Sequence, residues 1–138
     1  MSDIEAVFGA VQAAQWDELR RLIGRSRIVV VPSRAPETFA LVGVEAMAQA
    51  TPVVATSVGG ISEWLENEVT GLTVPSGDID ALAGAIDRLM TDEALCDRLG
   101  SAAEQASWQQ FTPDVHLARL QRLFSTLVPW WRKADVRA

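Results

Sequence analysis

The 138-residue sequence predicts an α/β domain built on a parallel sheet of three or four strands. Apolar runs at 28–31 and 52–56 each end at a turn and are followed by a segment that opens with helical spacing. A third run at 70–74 leads into a turn and another amphipathic segment. Strands that alternate with helices in this order favour parallel pairing, with helices packed on the sheet faces.

The first half of the chain supplies most of the predicted strands. Residues 4–11 predict a short strand and residues 16–23 a helix. The strand at 28–31 stops at a proline, and the next helix opens near Phe39. Residues 52–56 then predict a buried strand, with a glycine-containing turn and helix start at 57–63.

Three helices are predicted after the last strand. Asp78 is a good N-cap for the first, and a second runs from Asp92 to about Ala106. Thr112 and Pro113 suit the N-cap and first position of the third. Their predicted buried positions are Ile79, Leu82, Ala83, Ile86, Leu89 and Met90, then Leu95, Leu99, Ala102, Ala103 and Ala106, and finally Leu117, Leu120, Phe124 and Leu127.

Two glutamates stand out around the first strand-to-helix turn. Glu37 falls in the loop and Glu45 on the helix that follows. A helix start offers unpaired N–H groups and a positive dipole end that suit a phosphate, and a nearby carboxylate can accept hydrogen bonds from a ribose diol. From spacing alone, a loop charge and an ordinary helix residue explain the pair better; the ordered motifs around them favour a ligand site.

The second loop is expected at the same edge of the sheet. Gly59 and Gly60 follow the strand at 52–56 and let the backbone approach a ligand closely. In open parallel sheets, ligands bind at the carboxyl ends of the strands. Taken alone, two adjacent glycines are also typical of an ordinary turn.

Taken together, the motifs resemble a known family: the retaining, nucleotide-sugar-dependent glycosyltransferases of the GT-B fold, group 1 or family 4 type. The resemblance runs from about Asp17 to Phe124. It rests on Pro32-Ser33, the Glu-x7-Glu pair of Glu37 and Glu45, Glu45-Ala46-Met47-Ala48, Thr51-Pro52-Val53-Val54-Ala55-Thr56, Val58-Gly59-Gly60-Ile61, Thr70-Gly71-Leu72 and Pro75-Ser76-Gly77-Asp78. It implies a partial Rossmann-like domain with flanking helices and a helical C-terminal segment.

The resemblance also implies roles for site residues. Glu37 would be the catalytic-site residue that contacts the transferred sugar, and Glu45 would bind the ribose. The loop Thr38, Phe39, Ala40 and Leu41 would present amides to the distal phosphate, with Gly59 and Gly60 bordering the nucleotide. The family usually has glycine at the positions of Thr38, Ala40 and Ala50, and proline at that of Ser62.

We therefore expect a single domain over residues 1–138, equivalent to a truncated C-terminal donor-binding domain, with the N-terminal acceptor domain absent. The expected function is binding a nucleoside-diphosphate sugar for retaining transfer to an acceptor hydroxyl, without activity in the isolated chain. The alternative is a non-catalytic interaction module or split-enzyme subunit, which could use an open sheet edge for a partner or homo-oligomer. An unrelated nucleotide binder is the third interpretation.

Composition narrows the partners. A net charge of −6 disfavours general binding to nucleic acid or an anionic membrane, and no apolar run is long enough to span a bilayer. No metal-ligand set or cofactor motif is visible. One cysteine, Cys96, favours a packed structural thiol and a cytoplasmic location, and His116 a surface or packing role. Arg34 lies beside the first loop, within reach of a phosphate, although surface arginines are common.

Overall fold

The computed structural model describes residues 15–127. Helix α1 covers residues 15–25 of this range. The elements that follow are β1 (Val29–Val31), α2 (Leu41–Met47), β2 (Val53–Thr56), a short 3₁₀-helix (Gly59–Glu63), β3 (Gly71–Val74), α3 (Ile79–Thr91), α4 (Glu93–Gln110) and α5 (Pro113–Leu127). The predicted strand at 4–11 lies outside the described residues.

The three strands form one parallel sheet in the order β1-β2-β3. Val29 pairs with Val53, which in turn pairs with Gly71. The central strand β2 is buried at every position, as expected for a parallel strand covered on both faces. The predicted α/β class and parallel order are confirmed.

Side chains of β2 alternate between two hydrophobic clusters. Val53 and Ala55 join Met47, Ile61 and Trp64 on one face. Because successive strand residues point to opposite faces, Val54 packs on the other side. Its cluster contains Leu72, Leu89, Leu95 and Leu99, which come from β3, α3 and α4.

Helix α4 connects the two faces by passing the amino ends of the strands. A Cβ at Gly100 would overlap the carbonyl oxygen of Ala50, and the Cys96 thiol donates to the carbonyl of Arg27 at 3.5 Å. Ala50 and Arg27 come shortly before β2 and β1 in the sequence, so α4 contacts the amino ends of these two strands. The carboxyl ends of the strands lie at the opposite edge, where the two candidate loops are.

The two predicted N-caps, Asp78 and Thr112, are confirmed. Asp78 accepts a hydrogen bond from the Ala81 amide at 2.9 Å. Asp92, expected only to start the second helix, also caps it by accepting from Leu95 at 2.9 Å. Thr112 accepts from Val115 at 3.3 Å, directly before the proline that starts α5. Helix starts were therefore readable from local side-chain chemistry.

Two predicted buried faces are wrong in part. On α3, Leu82 and Ile86 are half-buried and Leu89 is buried, but Ile79, Ala83 and Met90 are exposed. No described residue of α5 is buried, since this helix packs mainly on α4 and presents its apolar side outward. The expected buried positions Leu117, Phe124 and Leu127 are 53%, 43% and 68% exposed, and Leu120 is half-buried.

Candidate functional site

Two loops meet at the carboxyl edge of the sheet. The first joins β1 to α2 and contains Glu37, and the second joins β2 to the 3₁₀-helix. The amide of Gly60 donates to the carbonyl of Glu37 at 2.9 Å. This backbone hydrogen bond ties the loops together, as the parallel order predicted.

The glycines of the second loop are required by this contact. Gly59 has φ 54°, a left-handed conformation that favours glycine. A Cβ there would overlap the carbonyl oxygen of Glu37 and lie 2.8 Å from its nitrogen, and one at Gly60 would overlap the carbonyl oxygen of Thr38. Glycine thus permits close approach of one loop backbone to the other.

Glu37 is half-buried, and hydrogen bonds through Ser33 connect it to β2. Its Oε1 accepts a hydrogen bond from the Ser33 hydroxyl at 2.6 Å. The Ser33 carbonyl in turn accepts from the buried Thr56 hydroxyl at 2.6 Å. The sequence motifs contained Ser33 and Thr56 but did not predict these two hydrogen bonds, because they depend on the orientation of the two hydroxyl groups in the folded chain.

The segment before α2 is held by aromatic residues. The Trp64 indole donates to the carbonyl of Phe39 at 2.5 Å, and the Phe39 ring packs edge-on to Phe111 with centroids 5.7 Å apart. Ala40 then adopts φ 57° as the N-cap and makes no side-chain cap. Thr38 and Leu41 on either side are exposed, so this stretch of backbone is accessible to a ligand.

Glu45 lies further along α2 and is half-buried. It lines a cavity of about 190 Å³ with Leu41 and Val44 of α2 and Trp108 and Phe111 of α4 and the turn after it. Glu37 is not among the residues that line this cavity. The two glutamates therefore share the α2 region but have separate surroundings.

A further cavity of about 210 Å³ lies where the strands end. Pro32 follows β1, Thr56 ends β2, and Gly77 and Asp78 follow β3. Arg34 supplies a positive charge to its wall, and within residues 15–127 its side chain makes no hydrogen bond or ion pair. This is the place at which open α/β sheets bind ligands.

Sequence comparison decides the family. The model of the family described as glycosyl transferases group 1 matches residues 4–106, three quarters of the chain. The chain belongs to the group 1 glycosyltransferases. The three parallel strands with flanking helices match the Rossmann-like fold of GT-B glycosyltransferases.

Individual relatives agree with this assignment. An exopolysaccharide phosphotransferase of Streptomyces coelicolor is 40% identical over 114 residues, which is 82% of this chain and 12% of that protein. A glycogen synthase of Mycobacterium tuberculosis is 36% identical over 109 residues, covering 73% of this chain and 26% of the enzyme.

A solved structure shows the same fold. The Anabaena protein HepE in complex with UDP-glucose superposes with a TM-score of 0.73 at 30% identity, over 79% of this chain and 30% of that one. The chain thus spans less than a third of each of these three relatives.

The shifted titratable groups of this glycosyltransferase domain lie away from the two loops. Hydrogen bonds from Arg88 lower the pKa of the Glu68 carboxyl, and burial raises the pKa of the Cys96 thiol. Glu68 precedes β3 and Cys96 contacts Arg27, two residues before β1, so both are at the amino edge of the sheet.

Within the described range, no group of three or more His, Cys, Asp and Glu side chains could hold a metal ion. No helix described between residues 15 and 127 is long and apolar enough to cross a membrane.

Proposed function

We propose that this chain is the donor-binding part of a retaining group 1 glycosyltransferase of the family 4 type. It binds a nucleoside-diphosphate sugar, and the complete enzyme transfers the sugar to an acceptor hydroxyl. The observation that carries this proposal is the junction of the two loops through Gly60 and Glu37 at the ligand-binding edge of the sheet. Membership of the family and the likeness to a UDP-glucose complex support it.

The residue roles follow the Glu-x7-Glu interpretation. Backbone amides of residues 38–41 bind the distal phosphate, Glu45 accepts hydrogen bonds from the ribose, and Glu37 contacts the transferred sugar. The hydrogen bond from Ser33 orients the Glu37 carboxylate and leaves its second oxygen for the ligand. Gly59 and Gly60 border the nucleotide while holding the first loop in place.

Such a site acts by electrostatic preorganisation. As the glycosidic bond to the diphosphate breaks, negative charge grows on the departing phosphate and positive charge on the sugar. Fixed amides stabilise the first and the Glu37 carboxylate the second, without reorganising at the moment of reaction. No resident cofactor or metal enters this proposal.

The acceptor is bound elsewhere in this proposal. Since the chain spans 12% to 30% of the three relatives described, we propose that another domain or a partner chain supplies the acceptor site, and that the isolated chain is inactive. The chemistry is placed in the cytoplasm, where an unpaired thiol such as Cys96 stays reduced.

An amide-resolved NMR titration of the chain with UDP, GDP and ADP tests donor binding. We expect one nucleotide to shift amides of residues 38–45 and 58–60, and Glu45→Ala to weaken that binding about tenfold, because a charge-assisted hydrogen bond is lost. Glu104→Ala removes an exposed carboxylate of α4 and serves as the matched control. A folded protein without saturable shifts at millimolar nucleotide would contradict the proposal.

The second candidate is a non-catalytic interaction module or a split-enzyme subunit. The outward apolar side of α5 favours it, since Leu117, Leu123 and Leu127 are all at least half exposed. Sedimentation of the purified chain, with and without nucleotide, distinguishes the interaction module from the donor-binding function. Stable homo-oligomers that ignore nucleotides would favour the module, whereas nucleotide binding by a monomer favours the donor-binding function.

A further inference from the structure

A cavity of about 690 Å³ lies beside residues 38–41, and the side chains of Phe39 and Leu41 contribute to its lining. It is a half-open groove bordered by the start of α2, the end of the 3₁₀-helix, the turn between α4 and α5, and the first half of α5. Its lining residues are Phe39, Leu41, Val44, Glu63, Gln110, Phe111, His116 and Arg119. A cavity of this size can hold a small organic molecule.

One part of the lining is apolar. Phe39 and Phe111 are half-buried and packed edge-on, so each still presents ring surface to the cavity. Leu41 beside them is 66% exposed. An aromatic or branched aliphatic group placed here would remove this apolar surface from water, which favours binding.

The α5 wall carries a guanidinium group. His116 and Arg119 are three residues apart and therefore lie on one side of the helix. Within the described chain, the Arg119 guanidinium has neither a hydrogen bond nor an ion pair. Glu63, at the end of the 3₁₀-helix, lines the same cavity but makes no ion pair with Arg119 in the described structure, so the guanidinium is available to a ligand.

We propose that this cavity binds a small amphipathic anion. An aromatic or aliphatic body packs on Phe39, Leu41 and Phe111, and a carboxylate, sulfonate or phosphate group binds Arg119. Arg119 favours an anionic group at the α5 side of the cavity, because a guanidinium can bind an oxyanion through two hydrogen bonds. The apolar body of such a ligand matches the surface formed by Phe39, Leu41 and Phe111 in the same cavity as Arg119.

The site would also communicate with the first loop. Phe39 contributes its ring to the cavity while its carbonyl accepts the Trp64 hydrogen bond that fixes the loop before α2. A ligand packed on this ring therefore restrains the backbone of residues 38–41. The binding proposal itself rests on the cavity and not on the donor-binding function.

Amide-resolved NMR with naphthalene-1-sulfonate as the probe tests the proposal on the whole chain. We expect saturable shifts centred on Phe39, Leu41, Phe111 and Arg119, and binding at least about fivefold weaker for the neutral 1-naphthalenemethanol. Shifts that fail to saturate by roughly 10 mM naphthalene-1-sulfonate would indicate non-specific binding and would overturn the proposal.

Two matched variants separate this site from general attraction to a basic helix. Arg119→Gln should weaken the sulfonate about tenfold and leave the neutral probe unchanged, since only a charge-assisted contact is lost. Arg122→Gln removes an exposed arginine of the same helix that does not line the cavity, and should change neither. Equal weakening by both variants would sink the proposal.

The nucleotide titration remains a separate measurement. Arg119 and Arg122 are both exposed, so neither substitution should disturb the core. Amide signals outside the cavity should therefore match those of the wild-type chain, which shows that both variants are folded. Chains that bind UDP but not the sulfonate would refute this site alone, and the reverse result would refute donor binding alone.

Discussion

The two loops at the carboxyl edge use the same backbone conformation with different residues. Ala40 in the first loop has φ 57° and Gly59 in the second has φ 54°. Left-handed backbone disfavours a Cβ at both, yet the first position carries a methyl group. The difference lies in the surroundings: a Cβ at Gly59 meets the backbone of Glu37, whereas the Ala40 methyl packs against the hydrophobic core.

This contrast separates two reasons for glycine. One reason is conformational: alanine in left-handed backbone costs about 1–2 kcal/mol, and burial of its methyl group can partly offset this cost. The other is steric, and no local gain offsets it because backbone atoms occupy the space. The fold therefore accommodates alanine in left-handed backbone at Ala40 and Ala50, whereas Gly59 cannot be replaced so easily.

Gly59→Ala should have the largest effect. It adds left-handed strain and drives a Cβ into Glu37, which breaks the Gly60 to Glu37 hydrogen bond. We expect a loss of about 3 kcal/mol in the free energy of unfolding, measured in urea. The amides of residues 37–41 should also shift, because the loop must move.

Gly77→Ala is the control that isolates conformation. Gly77 has φ 83° with no heavy atom within 4 Å of the added Cβ, so only strain remains, about 1 kcal/mol. Gly60→Ala isolates the clash, since only the contact with Thr38 is added. If Gly59→Ala cost no more than Gly77→Ala, the steric half of the comparison would be wrong.

Thr56→Val tests how the first loop is held from β2. The substitution removes the hydroxyl that donates to Ser33 at 2.6 Å, within a buried environment. We expect about 1.5 kcal/mol of lost stability and a more mobile Glu37, seen as broadened amides at 33–38. Thr73→Val on β3 is the matched control, with an effect near zero, because the described structure shows no hydrogen bond from that hydroxyl.

Much of the fold was predictable because it rests on local chemistry. Valine-rich runs, proline stops and the caps Asp78 and Thr112 predicted strands and helix starts that the structure confirms. The order of strands and helices then required that both loops lie at one edge. The roles of Glu37, Glu45 and the amides of residues 38–41 stay predictions.

The failures concern tertiary contacts. Helical spacing showed that α5 is amphipathic but not whether another element covers it, so Leu117, Phe124 and Leu127 were wrongly expected in the core. Glycine spacing indicated a close approach at Gly59 and Gly60, and the approach found is to the neighbouring loop. Neither the Thr56 to Ser33 hydrogen bond nor the Phe39–Phe111 pair has a signal in the sequence.

Ala50→Gly should produce a small effect of opposite sign. Ala50 has φ 55° and is exposed, so glycine relieves about 1–2 kcal/mol of strain and loses about 0.5–1 through unfolded-state entropy. We expect a net gain of about 0.5 kcal/mol, measured as a higher midpoint in urea. Ala40→Gly should gain less, because its methyl packs on the core. If Ala40→Gly stabilised the chain more than Ala50→Gly, packing would not explain why the first loop tolerates alanine, and strain retained for ligand binding would explain it better.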